Sequence, residues 1–133
     1  MKYLLDTHVF LWSLFETSKL TKSVKGIILN EQNDIYVSTI SFWEISLKFS
    51  IGKLNLQNIQ PEELPSYSIK SGFEILNLDE FIASSFHKLP RLSHSDPFDR
   101  MLIWQSIASD MTIISKDEKF KDYLSYGVKL FWK

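Results

Sequence analysis

Lys2-Tyr3-Leu4-Leu5-Asp6-Thr7-His8 decides how the chain is read. Residues 2–6 make a short buried strand, and Thr7 is placed to cap a helix running to about Phe15, apolar at Val9, Phe10, Leu11, Trp12 and Leu14. The junction between them is an aspartate. A carboxylate that follows a buried strand is costly unless something neutralises it or takes up its oxygens.

Outward from that junction the strand–helix alternation returns. A second helix is expected over Lys22 to Leu29 and a strand at Ile35-Tyr36-Val37; Ser38, Thr39 and Ser41 then offer helix-opening oxygens for a segment to about Phe49, with Gly52 as its stop. Pro61-Glu62-Glu63 reads as a first helical turn, with proline near the start and acids favouring the dipole. Phe73 to Leu76 follows as a strand, Asp79 to Leu89 as a helix, Pro97 to about Ser109 as a helix, Thr112 to Ser115 as a strand, Lys116 to Tyr123 as a short helix and Val128 to Phe131 as the last strand. Such alternation predicts an α/β fold with a mainly parallel sheet covered on both faces. Ligands in such sheets collect beyond the carboxyl ends of the strands.

The chain has 133 residues, 44% of them hydrophobic, which suits a single domain over residues 1–133. Gly and Pro are scattered singly, with no repeat, linker or low-complexity tract. Apolar runs fall far short of the about 20 residues that span a membrane. The first residues carry no long apolar segment or small-residue cleavage site, so no signal peptide is expected. Without cysteine, disulfides and thiolate zinc sites are excluded, and the whole fits a cytoplasmic protein. Net charge is −1, so contact with nucleic acid has to rest on a local basic patch or on a metal. Lys48, Lys53, Arg91, Arg100, Lys116, Lys119 and Lys121 lie near the acidic motifs, though solvated helix faces account for most such residues.

Four acids besides their neighbours stand out. Asp6 ends the first strand, Glu44 interrupts Ser41-Phe42-Trp43-Glu44-Ile45, Asp99 opens a helix with Asp96 beside it, and Asp117 follows Ile113-Ile114-Ser115-Lys116. Each has a structural explanation. Asp96 before Pro97 suits an N-cap, with Asp99 completing a capping-box-like turn; Ser115-x-x-Glu118 and Ser41-x-x-Glu44 have capping-box spacing; Glu44 can pair with Lys48; Asp6 can close an Asx turn. Caps do not explain why all fall at sheet-edge positions. Together the acids suit Mg²⁺ or Mn²⁺, which takes oxygen ligands and keeps several waters. His8 and His94 lie near Asp6 and Asp96, where either can orient a carboxylate or phosphate; His87 sits within a predicted helix, and the four tryptophans read as core or dimer contacts. Glycine-rich phosphate loops and serine-hydrolase elbows are absent.

Leu4-Leu5-Asp6-Thr7-His8, Ser41-Phe42-Trp43-Glu44-Ile45-Ser46-Leu47-Lys48 with Gly52-Lys53-Leu54, Asp96-Pro97-Phe98-Asp99-Arg100-Met101-Leu102-Ile103, and Ser115-Lys116-Asp117 followed by Phe120 and Tyr123 occur in order along the chain. In this it resembles PIN-domain proteins of the VapC-like subgroup, the toxins of type II toxin–antitoxin pairs. The resemblance implies a three-layer α/β/α fold and a metal-dependent endoribonuclease that cuts an RNA strand to leave a 3′-hydroxyl and a 5′-phosphate. It also implies a homodimer held inactive by an adjacently encoded antitoxin. The family's acids fall on Asp6, Glu44, Asp99 and Asp117, and Asp96 is an extra acid beside them. Arg100, Lys48 or Lys116 can then steady phosphates. Ser115 stands where the family often has threonine, and Trp104-Gln105-Ser106 replaces a more usual run of small residues. Two other classes share the edge acids: a Mg²⁺-dependent phosphoacceptor signalling domain, and a non-catalytic binding module whose acids are all caps.

Overall fold

A computed structural model describes residues 1–133. Five strands, β1 (Lys2–Leu5), β2 (Asp34–Ser38), β3 (Glu74–Leu76), β4 (Thr112–Ile114) and β5 (Lys129–Phe131), form one sheet in the order β3-β2-β1-β4-β5. Every neighbouring pair is parallel, so the expected mainly parallel sheet is wholly so. Leu5 lies opposite Val37 on one side and Ile114 on the other, which brings the carboxyl ends of three strands level.

Side chains alternate across the sheet and build two cores. Tyr3, Leu5, Ile35, Val37 and Ile114 face one way, against Val9 and Phe10 of α1 (Thr7–Phe15), Val24 of α2 (Lys22–Leu29), Ile45 of α3 (Thr39–Ser50) and Leu64 of α4 (Leu64–Lys70). Leu4 and Ile113 face the other way, against Leu102 and Ile103 of α6 (Pro97–Ala108), with Phe120 and Tyr123 beside them; α5 (Glu80–Ser85) packs on α6. The result is the three-layer α/β/α arrangement. Removing a fully buried side chain such as Leu5 or Ile113 by truncation to Ala costs about 2–5 kcal/mol.

Two segments differ in type from the expectation. The helix over Asp79 to Leu89 is α-helical only to Ser85, with Asp79 as its N-cap, and finishes as a 3₁₀ turn over Phe86–Lys88. The segment after β4 is a 3₁₀ helix over Glu118–Tyr126. Gly52 does stop α3: with φ +75° it lets the Lys53 amide reach back to the Lys48 carbonyl at 2.9 Å. No helix is long and apolar enough to cross a membrane.

Candidate functional site

Each edge acid is held by the first turn that follows a strand, or by a helix packed beside it. Asp6 leaves β1 and caps α1, its Oδ1 accepting from the Val9 amide at 2.8 Å. Its own amide donates to the Ile114 carbonyl at 3.1 Å, which ties the β1 and β4 edges together at this point. Asp117, just beyond β4, caps the 3₁₀ helix by accepting from the Lys119 amide at 2.9 Å, and its amide donates to Ser115 Oγ at 3.1 Å. Asp96 caps α6, accepting from the amides of Phe98 at 2.9 Å and Asp99 at 3.3 Å. The cap of α1 is therefore Asp6 and not the expected Thr7, which is the first helical residue and turns its hydroxyl to Glu44, whereas the capping role expected of Asp96 is real. Both caps are made through Oδ1.

Glu44 has no such role. It lies on the second turn of α3, whose N-cap is Ser38, so the Ser41-x-x-Glu44 capping box does not form. Glu44 is only 2% exposed. The Thr7 hydroxyl donates to its Oε1 at 2.7 Å and lies 3.0 Å from Ser41 Oγ, while Lys48 Nζ donates to Oε2 at 2.5 Å. The Ser115-x-x-Glu118 box is likewise replaced by the Asp117 cap.

His94 completes the cluster. Its ring is 5% exposed, with Nε2 at 3.0 Å from Asp99 Oδ2 and 3.8 Å from Asp117 Oδ2. Ligand atoms of His94, Asp99 and Asp117 all lie within 4.8 Å of one another. The sequence placed His94 near Asp96 as a residue able to orient a carboxylate; the carboxylates it meets are Asp99 and Asp117. His8 and His87 are exposed, away from this contact. Arg100 turns from the acids: its Nη2 donates to the Leu89 carbonyl at 3.0 Å, its Nε to Tyr123 Oη at 3.3 Å, and its guanidinium lies 4.7 Å over the Phe86 ring. That engagement removes it from the residues expected to steady phosphates. Trp43 is 61% exposed and so is not a core residue, whereas Trp104 is partly buried and its Nε1 donates to the Ile82 carbonyl at 3.1 Å.

The crowding shows in the acidities. Burial, then the charges of Asp96, Glu44, Asp6 and Asp117, push the Asp99 carboxyl up to about 8. Burial raises Asp6 to about 6; the Ser115 hydroxyl, the Val9 amide and His8 pull it down, and Asp117 adds to the rise. Burial works to lower Lys48, but its hydrogen bond to Glu44 and the charges of Glu44, Asp96 and Asp99 outweigh this and raise it. All five acids and Lys48 therefore belong to one electrostatic unit. Asp99 holds its proton near neutrality, so a cation bound there has a proton to displace.

The PIN domain family model matches residues 3–124. The chain belongs to the PIN domain family. No curated protein sequence matches it. Solved structures do share its fold. A chain of the VapBC2 complex from Rickettsia felis, bound to a promoter DNA fragment, aligns over 100% of both chains with a TM-score of 0.71 at 16% identity. A chain of FitAcB from Neisseria gonorrhoeae aligns over 98% of this PIN domain and 96% of its own length, with a TM-score of 0.64 at 19% identity. A chain of VapBC-5 from Mycobacterium tuberculosis, a member of the VapBC family of toxin–antitoxin systems, covers 99% and 98%, with a TM-score of 0.62 at 16% identity. At these identities the likeness is one of fold.

Proposed function

We propose that this PIN domain is a metal-dependent endoribonuclease, the toxin of a type II toxin–antitoxin pair. The observation that carries the reading is the convergence of Asp6, Glu44, Asp99 and Asp117 at the carboxyl edge of the sheet, where burial and then the charges of the neighbouring acids raise Asp99. The donor set suits Mg²⁺ or Mn²⁺: carboxylates from separate elements, in the oxygen-rich environment those ions take. Asp6, Asp99, Glu44 and Asp117 would hold one or two ions, directly or through water, and Asp96 adds charge beside them. A bound ion supplies an activated water and neutralises charge on the scissile phosphate.

The chain's own residues set the conditions for that chemistry. Thr7 and Lys48 fix both oxygens of Glu44 and so keep a fully buried acid in one orientation. Asp6 and Asp117 are positioned by the turns they cap, so their free oxygens have little freedom to lose on binding. Lys48, partly exposed at the rim, is placed to meet a backbone phosphate as well as Glu44. RNA is the substrate class, attacked in line at phosphorus.

An antitoxin partner is supported by the fold neighbours, which come from VapBC and FitAB complexes. A homodimer is supported by Trp43, Leu47 and Ile51, which leave an exposed apolar strip along α3 and its end. Family membership leaves the phosphoacceptor alternative with no observation in its favour. The test is cleavage of mixed RNA by the purified chain with Mg²⁺ or Mn²⁺, against chelator and against Asp6→Asn. Metal-dependent cleavage that Asp6→Asn abolishes is the expected result; no cleavage of any RNA, with no metal bound, would leave a binding module whose acids are caps.

A further inference from the structure

The segment leading into α6 is held more firmly than a connecting loop needs to be. Tyr123 Oη donates to the Pro90 carbonyl at 3.0 Å and accepts from the Leu92 amide at 3.4 Å. Arg100 holds the Leu89 carbonyl from the α6 side, and the Ser93 hydroxyl donates to Asp122. Phe120 packs against the imidazole at 5.7 Å between ring centres. Four side chains from two helical segments thus converge on one short stretch. What that stretch delivers to the acids is His94.

The way it is delivered matters. Nε2 faces two carboxylate oxygens, at 3.0 and 3.8 Å. Nε2 shares a hydrogen bond with Asp99, and once the proton between them is displaced both atoms present lone pairs to a cation. In an octahedral site with bonds of about 2.1 Å, adjacent ligand atoms lie about 3.0 Å apart and opposite ones about 4.2 Å apart. The His94, Asp99 and Asp117 ligand atoms, all within 4.8 Å, need only small adjustments to surround one ion.

We propose that His94 is itself a metal ligand, through Nε2, together with Asp99 and Asp117, and that it makes the site favour first-row transition ions such as Mn²⁺ over Mg²⁺. The inference rests on the metal-site reading above and narrows it. Mg²⁺ is a hard ion that prefers oxygen and releases its waters reluctantly, so an imidazole adds little to its affinity. Transition ions accept imidazole nitrogen readily, and affinity climbs from Mn²⁺ through Fe²⁺ and Co²⁺. A site of carboxylates alone has no comparable basis for telling Mn²⁺ from Mg²⁺.

The test is calorimetric titration of Mn²⁺ and, separately, Mg²⁺ into wild type and His94→Asn, with pulsed electron paramagnetic resonance on the Mn²⁺ complex of each. A ligating imidazole gives nitrogen modulation in the wild-type spin echo, and His94→Asn loses both that signal and about tenfold or more in Mn²⁺ affinity, with a much smaller change for Mg²⁺. Wild-type Mn²⁺ bound without directly coordinated nitrogen would overturn the proposal, as would an equal loss for both ions, which marks a residue that only orients Asp99. Because the resonance signal is read on wild type, the proposal stays falsifiable even where His94→Asn folds poorly. Failure of wild type to bind either ion would overturn the metal-site reading as well, and is a different result from Mn²⁺ binding that ignores His94.

Discussion

At the amino ends of β4 and β5, Lys129 donates to Asp110 at 2.5 Å in open solvent, and that hydrogen bond and charge hold the Asp110 carboxyl below its ordinary range. At the carboxyl ends, Asp6, Glu44, Asp96, Asp99 and Asp117 share one electrostatic unit, and burial with mutual repulsion lifts Asp99 to about 8. The same residue type is thus made more acidic at one edge and far less acidic at the other. An edge arranged only for stability resembles the first. The second accumulates unfavourable charge, with Lys48 paired to Glu44 alone, as an edge that serves a ligand would.

Asp99→Asn strikes that contrast hardest. It should reduce metal-dependent RNA cleavage at least about a hundredfold, since a charged oxygen at the centre of the site is replaced by a neutral amide. The metal-free protein should respond in the opposite sense and become more stable at neutral pH. Asp99 loses its proton near 4 when unfolded and near 8 when folded, so between those values the folded chain binds more protons, and stability falls as pH rises. With chelator present, urea denaturation of wild type should therefore lose on the order of a few kcal/mol from pH 4 to 8. Asp99→Asn should flatten most of that slope, and an unchanged slope would mean that the edge acids do not repel as described.

Metal binding draws on the same raised Asp99 pKa. Near pH 7, Mn²⁺ has to displace protons from Asp99, so calorimetry in buffers of different ionisation enthalpy should report net proton release. Buffer-independent heats would contradict a protonated Asp99. Smaller again is Tyr123→Phe, which removes the hydroxyl shared by Pro90, Leu92 and Arg100. It should cost about 1–3 kcal/mol in denaturant unfolding and lower Mn²⁺ affinity by loosening the segment that bears His94. Lys129→Ala, at the opposite edge, should leave both cleavage and unfolding unchanged within measurement error, because an exposed pair contributes little.

Much of this was legible in the sequence because it rested on short-range chemistry. An apolar run ended by Asp6-Thr7 specified a strand entering a helix, and Gly52 specified the end of α3 through its positive φ. The roles that were less clear depend on distance along the chain. Ser41 and Ser115 had the spacing of capping boxes, yet Ser38 and Asp117 took the caps, because the helices began earlier or later than the spacing suggested. Arg100 sits beside Asp99 in sequence, but a helix turns neighbouring side chains about 100° apart, and its guanidinium meets Leu89, Tyr123 and Phe86 instead. His94 was legible as a residue able to orient a carboxylate or phosphate near Asp96, but not as the partner of Asp99 and Asp117. Its contact with Asp117 joins segments 23 residues apart, which no local pattern reveals.

Calorimetric titration of Mn²⁺ into wild type and Asp99→Asn, at equal pH and salt, reads the acidic edge as a metal site without relying on any RNA. Wild type should bind in the micromolar-to-millimolar range, and Asp99→Asn should lose that binding while remaining folded. Wild type that binds no Mn²⁺, or a variant that binds it equally well, would contradict the claim that the carboxyl edge of this sheet is a metal site.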